Sequence, residues 1–134
     1  MRVVGWGSGF VVAPGYVLTN RHVVVLHEDS QTVYDGFLLQ QANSLGTRHF
    51  GTVAAISKEH DLALIKCHGL KAVPIALRTT PPKRAEDIVV MGFPRPDTLG
   101  FRLTTTKGVV SSLPNNNFKE VLYDATTNPG NSGG

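Results

Sequence analysis

The hydrophobic positions of this chain fall in short runs, and turn-forming residues separate each run from the next. The runs are rich in strand-forming residues, and they lie at residues 7–13, 16–19, 32–40, 49–56, 61–67, 88–93, 101–113 and 118–126. Many short runs of this kind predict short strands, and no stretch repeats with a helical period over any length. The pattern therefore predicts an all-β barrel or sandwich.

The first two runs predict a β-hairpin, because Pro14 and Gly15 between them form a strong turn signal. The second run leads into a predicted single helical turn, which Thr19 or Asn20 can cap. We expect His22 to lie on this turn.

Two other segments bear on the organisation of the chain. The glycine-rich segment 5–9 suggests a phosphate loop, but no Gly-Lys-Ser/Thr follows it, so we expect its glycines to allow close packing of strands. In the segment 78–87, prolines and charges cluster and the strand pattern is lost. That segment predicts a linker, which divides the chain near residue 80.

The composition is that of a soluble globular protein, with 134 residues of which 41% are hydrophobic and 17% charged. No apolar run approaches the roughly 20 residues needed to span a bilayer, so we expect no membrane span. The net charge of +3 is mild, and we expect no nucleic-acid partner. Cys67 is the only cysteine, which excludes an intrachain disulfide, and it is predicted to be a small buried hydrophobic residue.

The segment 126–134 places one serine, Ser132, in a frame of glycines. Glycines at positions 130, 133 and 134 let the main chain turn sharply and let a substrate approach closely. If the amides of Gly130 and Ser132 point the same way, the turn can bind an oxyanion. The same composition also fits a flexible tail, and this segment alone does not decide between the two.

Three polar residues lie beside apolar runs, namely His22, Asp61 and Ser132, in that order. A serine hydroxyl needs a base within hydrogen-bond reach to become a nucleophile, and a carboxylate can fix the tautomer of a histidine that acts as this base. We expect partial burial of Asp61 at the start of a strand to strengthen its interaction with imidazole. Taken singly, each residue also has an ordinary surface or structural explanation. No pair of histidines has the spacing of a local zinc motif, so we expect no metal and no cofactor.

Several segments together resemble the trypsin-like serine proteases, most closely the bacterial HtrA/Deg type. The matching stretches occur in the family's order and are residues 7–12, 15–24, 61–66, 89–94, 106–111 and 128–134. Six collinear matches are more specific than any one of them. They favour the oxyanion turn over the flexible tail.

The resemblance implies that His22 is the general base and then the general acid, that Asp61 orients it, and that Ser132 attacks the scissile carbonyl. It implies that the amides of Gly130 and Ser132 form the oxyanion hole. It also implies that Thr126 and Thr127 line the primary substrate pocket, and because neither is charged we expect small or medium uncharged side chains there. The implied fold is a double β-barrel, with residues 1–80 as the first barrel and residues 81–134 as part of the second.

The chain departs from the family's pattern after Gly134, where the family's second barrel continues with further strands. We therefore expect an incomplete second barrel and a fragment of a serine endopeptidase that has little or no activity alone. An open barrel edge also predicts self-association or strand exchange. Peptides or unfolded proteins are the expected substrates, and the compartment stays open between the bacterial periplasm and the cytoplasm.

Two alternatives remain beside the endopeptidase. A non-enzymatic peptide-binding module could keep the protease fold, although it would have no need of Ser132. An esterase or another acyl hydrolase would use the same chemistry on a different substrate.

Overall fold

The computed structural model describes residues 5–27, 32–94, 102–116, 119–127 and 130–134. In these ranges the chain forms eight strands and one helix of four residues. The elements are β1 (Phe10–Ala13), β2 (Tyr16–Thr19), α1 (Arg21–Val24), β3 (Phe37–Gln41), β4 (Ser44–Ile56), β5 (Ala63–Lys66), β6 (Asp87–Gly92), β7 (Thr104–Ser112) and β8 (Leu122–Asp124). The prediction of an all-β fold is confirmed.

The first sheet has five strands in the order β1-β2-β5-β4-β3, and it curls into a half-barrel. All its pairs are antiparallel, and β1 and β2 form the predicted hairpin, in which Phe10 lies opposite Leu18. Alternate apolar side chains of the strands point to one face and form a core together with residues of α1 and of the segments that follow α1 and β5. The core residues are Val17, Val24, Val25, Ala63, Ile65, Cys67 and Leu70. Cys67 is fully buried, as predicted, and burial raises the pKa of its thiol.

The second sheet has three strands in the order β6-β7-β8, so β6 and β8 are its edges in the described part of the chain. Exposed and partly buried residues alternate along β6, as expected for a strand with one open face. Val110 of β7 is 2% exposed. Among the described residues of these three strands, it is the one hydrophobic residue that is buried. This sheet therefore has little core of its own.

Several predicted strands have different ends in the structure. The run 32–40 forms a strand only from Phe37, and Val33 makes an isolated bridge to Val25. The run 61–67 begins as a strand at Ala63, because a tight turn in which the Leu62 amide donates to the His60 carbonyl (2.7 Å) precedes it. The predicted strand starts at Phe101 and Phe118 lie outside the described residues.

The predicted helical turn is present as α1, with Asn20 at its N-cap position. Neither predicted cap acts as one, because the Asn20 side chain makes no capping hydrogen bond and the Thr19 hydroxyl donates to the Ser8 carbonyl at 2.7 Å. Among the described helices, none is long and apolar enough to cross a membrane.

Candidate active site

His22 and Asp61 meet because their strands are antiparallel neighbours. In the register of β2 with β5, Thr19 lies opposite Ala63. The C-terminal end of β2 and the N-terminal end of β5 lie side by side at the same end of the sheet, so the residues just beyond these strand ends come together. His22 lies in α1 directly after β2, and Asp61 lies two residues before β5.

Asp61 accepts two hydrogen bonds from His22. The His22 ring contacts it through Nδ1, 2.6 Å from Oδ2, and the His22 amide donates to Oδ1 at 2.9 Å. A carboxylate only accepts, so Nδ1 holds the proton, and in the neutral ring Nε2 keeps a lone pair. Asn20 Nδ2 also donates to the Asp61 carbonyl at 2.8 Å. The pair is thus fixed in the tautomer that a general base requires.

Both side chains of the pair are open to solvent, with 42% of His22 and 51% of Asp61 exposed. The expectation of a partly buried Asp61 is therefore wrong, since Asp61 lies in an exposed stretch, 58–61, outside the sheet. Burial acts to raise the pKa of the Asp61 carboxyl, but the hydrogen bonds from His22, the positive charge of its ring when protonated, and the Arg21 amide outweigh this effect. The net result holds this pKa below its ordinary value of 3.8.

A cavity of about 280 Å³ lies beside the pair. It is lined by Arg21, His22, Lys58, Glu59, His60 and Asp61. Ser132, Thr126 and Thr127 do not line it, so it does not correspond to the substrate pocket that the sequence predicts.

Ser132 lies in a tight turn that the structure forms with the glycines around it. The Gly134 amide donates to the Asn131 carbonyl at 2.8 Å, and Gly133, the third residue of this β-turn, has φ = +92°. A side chain is strained at this φ, and a Cβ at Gly133 would also overlap the Ser8 carbonyl oxygen and Thr19 Oγ1. Gly130 also has a positive φ, +96°. The turn therefore requires glycine, as predicted.

The turn lies against the segment that precedes β1. The Ser8 amide donates to the Ser132 carbonyl at 2.8 Å. At Gly7, a Cβ would lie 2.8 Å from Val23 Cγ1 and 3.3 Å from the Ser132 carbonyl oxygen, so this glycine fits between α1 and the turn. Gly7 is therefore closely packed, although against α1 and the turn and not between strands as predicted. Among the described residues, the hydrogen bonds do not include one between the His22 ring and Ser132.

The residues predicted for the substrate pocket follow β8. Thr126 and Thr127 are both exposed, and the Thr126 carbonyl accepts a hydrogen bond from Thr106 Oγ1 at 2.9 Å. Their part in substrate binding stays a prediction. In the described part of the chain, no group of three His, Cys, Asp or Glu residues is arranged to hold a metal ion.

Sequence reasoning gave no role to Ser8 and missed the contact of Asn20 with Asp61. Ser8 is 6% exposed and lies between two glycines ahead of the first strand. A buried polar residue must find hydrogen-bond partners, so a serine in a segment predicted to pack closely was the available signal.

Comparison with known proteins gives consistent matches. The family model described as a trypsin-like peptidase domain matches residues 7–134. A Pseudomonas fluorescens protein named probable periplasmic serine endoprotease DegP-like is 35% identical over 96% of this chain and 26% of its own length. The Arabidopsis thaliana mitochondrial Protease Do-like 4 is 32% identical over 96% of this chain and 24% of its own length.

A solved structure agrees with these sequence matches. The crystal structure of a serine endoprotease from Yersinia pestis superposes with a TM-score of 0.74 and 25% identity, covering 98% of this chain and 45% of that one. The chain thus spans about a quarter of the length of the curated relatives that it matches.

Proposed function

The chain belongs to the family of trypsin-like peptidase domains, and from this we propose that it is a serine endopeptidase of the HtrA/Deg type that acts through His22, Asp61 and Ser132. The observation that supports the proposal most strongly is the doubly hydrogen-bonded pair of His22 and Asp61, which leaves Nε2 as a base. The glycine turn around Ser132 supports it further.

In the proposed first step, Nε2 of His22 accepts the Ser132 hydroxyl proton while Oγ forms a bond to the scissile carbonyl carbon. The carbonyl oxygen becomes an oxyanion, which the amides of Gly130 and Ser132 stabilise. The C–N bond then breaks, and the imidazolium gives its proton to the leaving amine. The product of this step is an acyl-enzyme.

Water completes the reaction. His22 takes a proton from the water molecule as its oxygen bonds to the acyl carbon, and the Ser132 Oγ–carbon bond breaks as the proton returns to Ser132. Asp61 keeps its charge throughout and stabilises the imidazolium in both steps. A hydrogen bond from Ser132 to His22 is required in the reacting complex, and such bonds are commonly long or absent before substrate binds.

The triad is tested by covalent labelling, which needs only one turnover. A fluorophosphonate probe should form an oxygen–phosphorus bond at Ser132 with loss of fluoride, and Ser132→Ala should take up none. Ser44→Ala is the matched control, because the Ser44 hydroxyl lies at the exposed start of β4, where it donates to Thr47 Oγ1 at 3.4 Å. Labelling of Ser132→Ala at the rate of the unsubstituted chain would refute the proposal.

Hydrolysis distinguishes the endopeptidase from the two alternatives. Any cleavage of casein or quenched peptides should fall to background in Ser132→Ala. Peptide binding without labelling or cleavage would favour a non-enzymatic peptide-binding module. Cleavage of esters but never of peptides would favour another acyl hydrolase. The expectation that the chain alone is a weak catalyst stays a prediction, which the turnover number of this assay measures.

Substrate preference is proposed from Thr126 and Thr127. Both are uncharged and lie near each other beyond β8, so small or medium uncharged side chains are the expected residues before the cleaved bond. A peptide series with Ala, Val, Lys or Arg at this position tests the idea. Faster cleavage after Lys or Arg would contradict it.

Two further proposals concern organisation. Residues 1–80 and 81–134 form separate β-subdomains, in accord with a first sheet that ends at Lys66 and a second that begins at Asp87. Limited proteolysis should cut between them, near residue 80.

The open edge at β8, where Leu122 is 61% exposed, supports self-association or strand exchange. A mass by light scattering that stays monomeric across a concentration series would contradict self-association.

Of the two compartments left open, the names of the bacterial relatives support the bacterial periplasm. Cell fractionation of the native host tests this proposal. Recovery of the protein with the cytoplasmic fraction would contradict it.

A further inference from the structure

Ser8 has no part in the proposed reaction, yet it makes four hydrogen bonds to distant segments of the chain. It is 6% exposed, and its hydroxyl donates to the Gly130 carbonyl at 2.8 Å and accepts from the Phe93 amide at 2.9 Å. Its own amide donates to the Ser132 carbonyl at 2.8 Å, and its carbonyl accepts from Thr19 Oγ1 at 2.7 Å. One small residue thus joins β2 of the first sheet, the end of β6 in the second sheet, and the turn.

The two contacts with the turn bracket the nucleophile. Ser8 binds the carbonyl of the peptide unit between Gly130 and Asn131, and it also binds the carbonyl of the unit that follows Ser132. Peptide units are planar, so fixing each carbonyl fixes the orientation of its whole unit. The unit that lies between them contains the Ser132 amide, which is a proposed oxyanion donor. Only a few main-chain dihedrals remain free to turn this amide away.

We propose that Ser8 is a positioning residue, whose buried hydroxyl holds the Gly130–Ser132 turn in the conformation that stabilises the oxyanion. The inference rests on the proposed function, and it assigns to Ser8 no contact with substrate. Among the described residues, both hydrogen bonds that join this turn to the rest of the chain come from Ser8, and the turn contains two glycines with positive φ.

The chemistry of the hydroxyl explains why serine is suited to this position. A hydroxyl offers one donor and two acceptor lone pairs, and Ser8 uses the donor for Gly130 and a lone pair for Phe93. Alanine would leave both of these main-chain groups without their partner in a buried place. The Ser8 amide contact with Ser132 would remain, so the turn would loosen at its Gly130 end first.

The test compares Ser8→Ala with two controls in the same chain. Ser44→Ala removes an exposed serine hydroxyl, and Ile65→Val lowers stability from the core of the first sheet. Three quantities are measured for each variant: the rate constant for labelling by a fluorophosphonate probe, the thermal midpoint, and hydrogen exchange in a peptide covering residues 126–134.

In Ser8→Ala we expect labelling to slow about tenfold to hundredfold, because small misplacements of reacting groups have effects of that size. Exchange of the turn should become faster, while exchange in β2 and β5 should not change. Both controls should label like the unsubstituted chain. Unchanged labelling in Ser8→Ala would overturn the proposal. The proposal would also be overturned if Ile65→Val lost as much labelling as Ser8→Ala while its thermal midpoint fell by a similar amount.

Failure of the proposed function gives a different result. If the unsubstituted chain takes up no probe, its triad is not assembled for catalysis, and exchange alone decides what Ser8 does. Faster exchange of the turn in Ser8→Ala would keep Ser8 as the residue that orders it, and unchanged exchange would remove that role as well.

Discussion

The two sheets of this chain differ in how much apolar surface each buries. The first has a core of seven buried residues that come from strands and connecting segments alike. The second, within the described ranges, buries Val110 and leaves much of its apolar surface in water. The exposed hydrophobic residues of its strands are Val89, Met91, Val109, Leu122 and Tyr123.

This difference separates the physical origins of the two halves of the candidate site. His22 and Asp61 lie just beyond the ends of two strands of the packed sheet, where the register of β2 and β5 brings them together. Ser132 lies in a turn held by main-chain contacts and by one serine. We infer that core packing holds the base in place, whereas a few hydrogen bonds hold the nucleophile.

The largest expected effect comes from the core of the first sheet. Ile65→Ala removes buried methyl groups from a residue that is 5% exposed, and it should lower the free energy of unfolding by about 2–5 kcal/mol. Urea denaturation monitored by circular dichroism measures this loss.

Val110→Ala is the matching change in the second sheet. It removes two carbon atoms from a sheet with few buried neighbours, so a loss of about 1.5 kcal/mol or less is expected. A loss at Val110 as large as that at Ile65 would show that the two sheets are equally well packed, and the comparison would fail.

At the turn we expect an effect on stability that is smaller than the effect at Ile65, together with a large effect on the labelling of Ser132. Gly133→Ala puts a side chain at φ = +92° against the Ser8 carbonyl oxygen. Strain of this kind costs about 1–3 kcal/mol, and the turn should rearrange to relieve it. Probe labelling of Ser132 should therefore be lost while circular dichroism still reports a folded chain.

Gly46→Ala is the control for this change. Gly46 lies in β4, and a Cβ there meets no atom within 4 Å. Stability and labelling should be close to those of the unsubstituted chain. Normal labelling by Gly133→Ala would mean that the turn does not need the conformation described above.

On the open face of the second sheet the expected effect is close to zero. Val89 is 53% exposed, so Val89→Thr should change the free energy of unfolding by less than about 0.5 kcal/mol. The same substitution at Val17, which is 6% exposed, buries a hydroxyl and should cost about 1–3 kcal/mol. Paired urea titrations measure both, and equal costs would contradict the difference in packing.

The pH dependence of the His22–Asp61 pair is also expected to be small. The pKa of Asp61 is lower in the folded chain than its ordinary value of 3.8, so folding favours the carboxylate. This stabilisation is fully present above 3.8, and it is lost as the pH falls through the lower, folded pKa. Because the side chain is 51% exposed, water screens the pair and the effect should stay under about 1 kcal/mol.

The measurement is the difference in unfolding free energy between the unsubstituted chain and Asp61→Asn, which should shrink as the pH falls below 3.8. Glu86→Gln serves as the control background, because Glu86 pairs with Arg78 in a different part of the chain and its pKa is also lowered. The Asp61 difference should be the same in that background. A difference that grows on acidification would have the wrong sign.

The sequence predicted the features that depend on local pattern. The hairpin at Gly15, the short strands and the helical turn with His22 all follow from turn residues and alternation, and the structure contains them. The meeting of His22 with Asp61 was predicted from chemistry and resemblance, and the antiparallel register of their strands explains it.

What the sequence could not predict depends on contacts between distant segments. The exposure of Asp61 is set by what packs over the edge of the sheet, and no local pattern reports that. The contacts of Ser8 span 122 residues to Gly130 and 85 residues to Phe93, and a single small polar residue has no periodicity to reveal them. The same holds for Asn20, which binds Asp61 instead of capping its helix.

Amide hydrogen exchange along the whole chain shows whether a packed sheet holds the base while a few hydrogen bonds hold the turn with the nucleophile. The amides of β2 and β5 should exchange only through global unfolding, with one common free energy. Those of β6 to β8 and of residues 130–134 should exchange through local opening at a clearly lower free energy. Equal protection of both sheets and the turn would mean that the base and the nucleophile are held equally firmly.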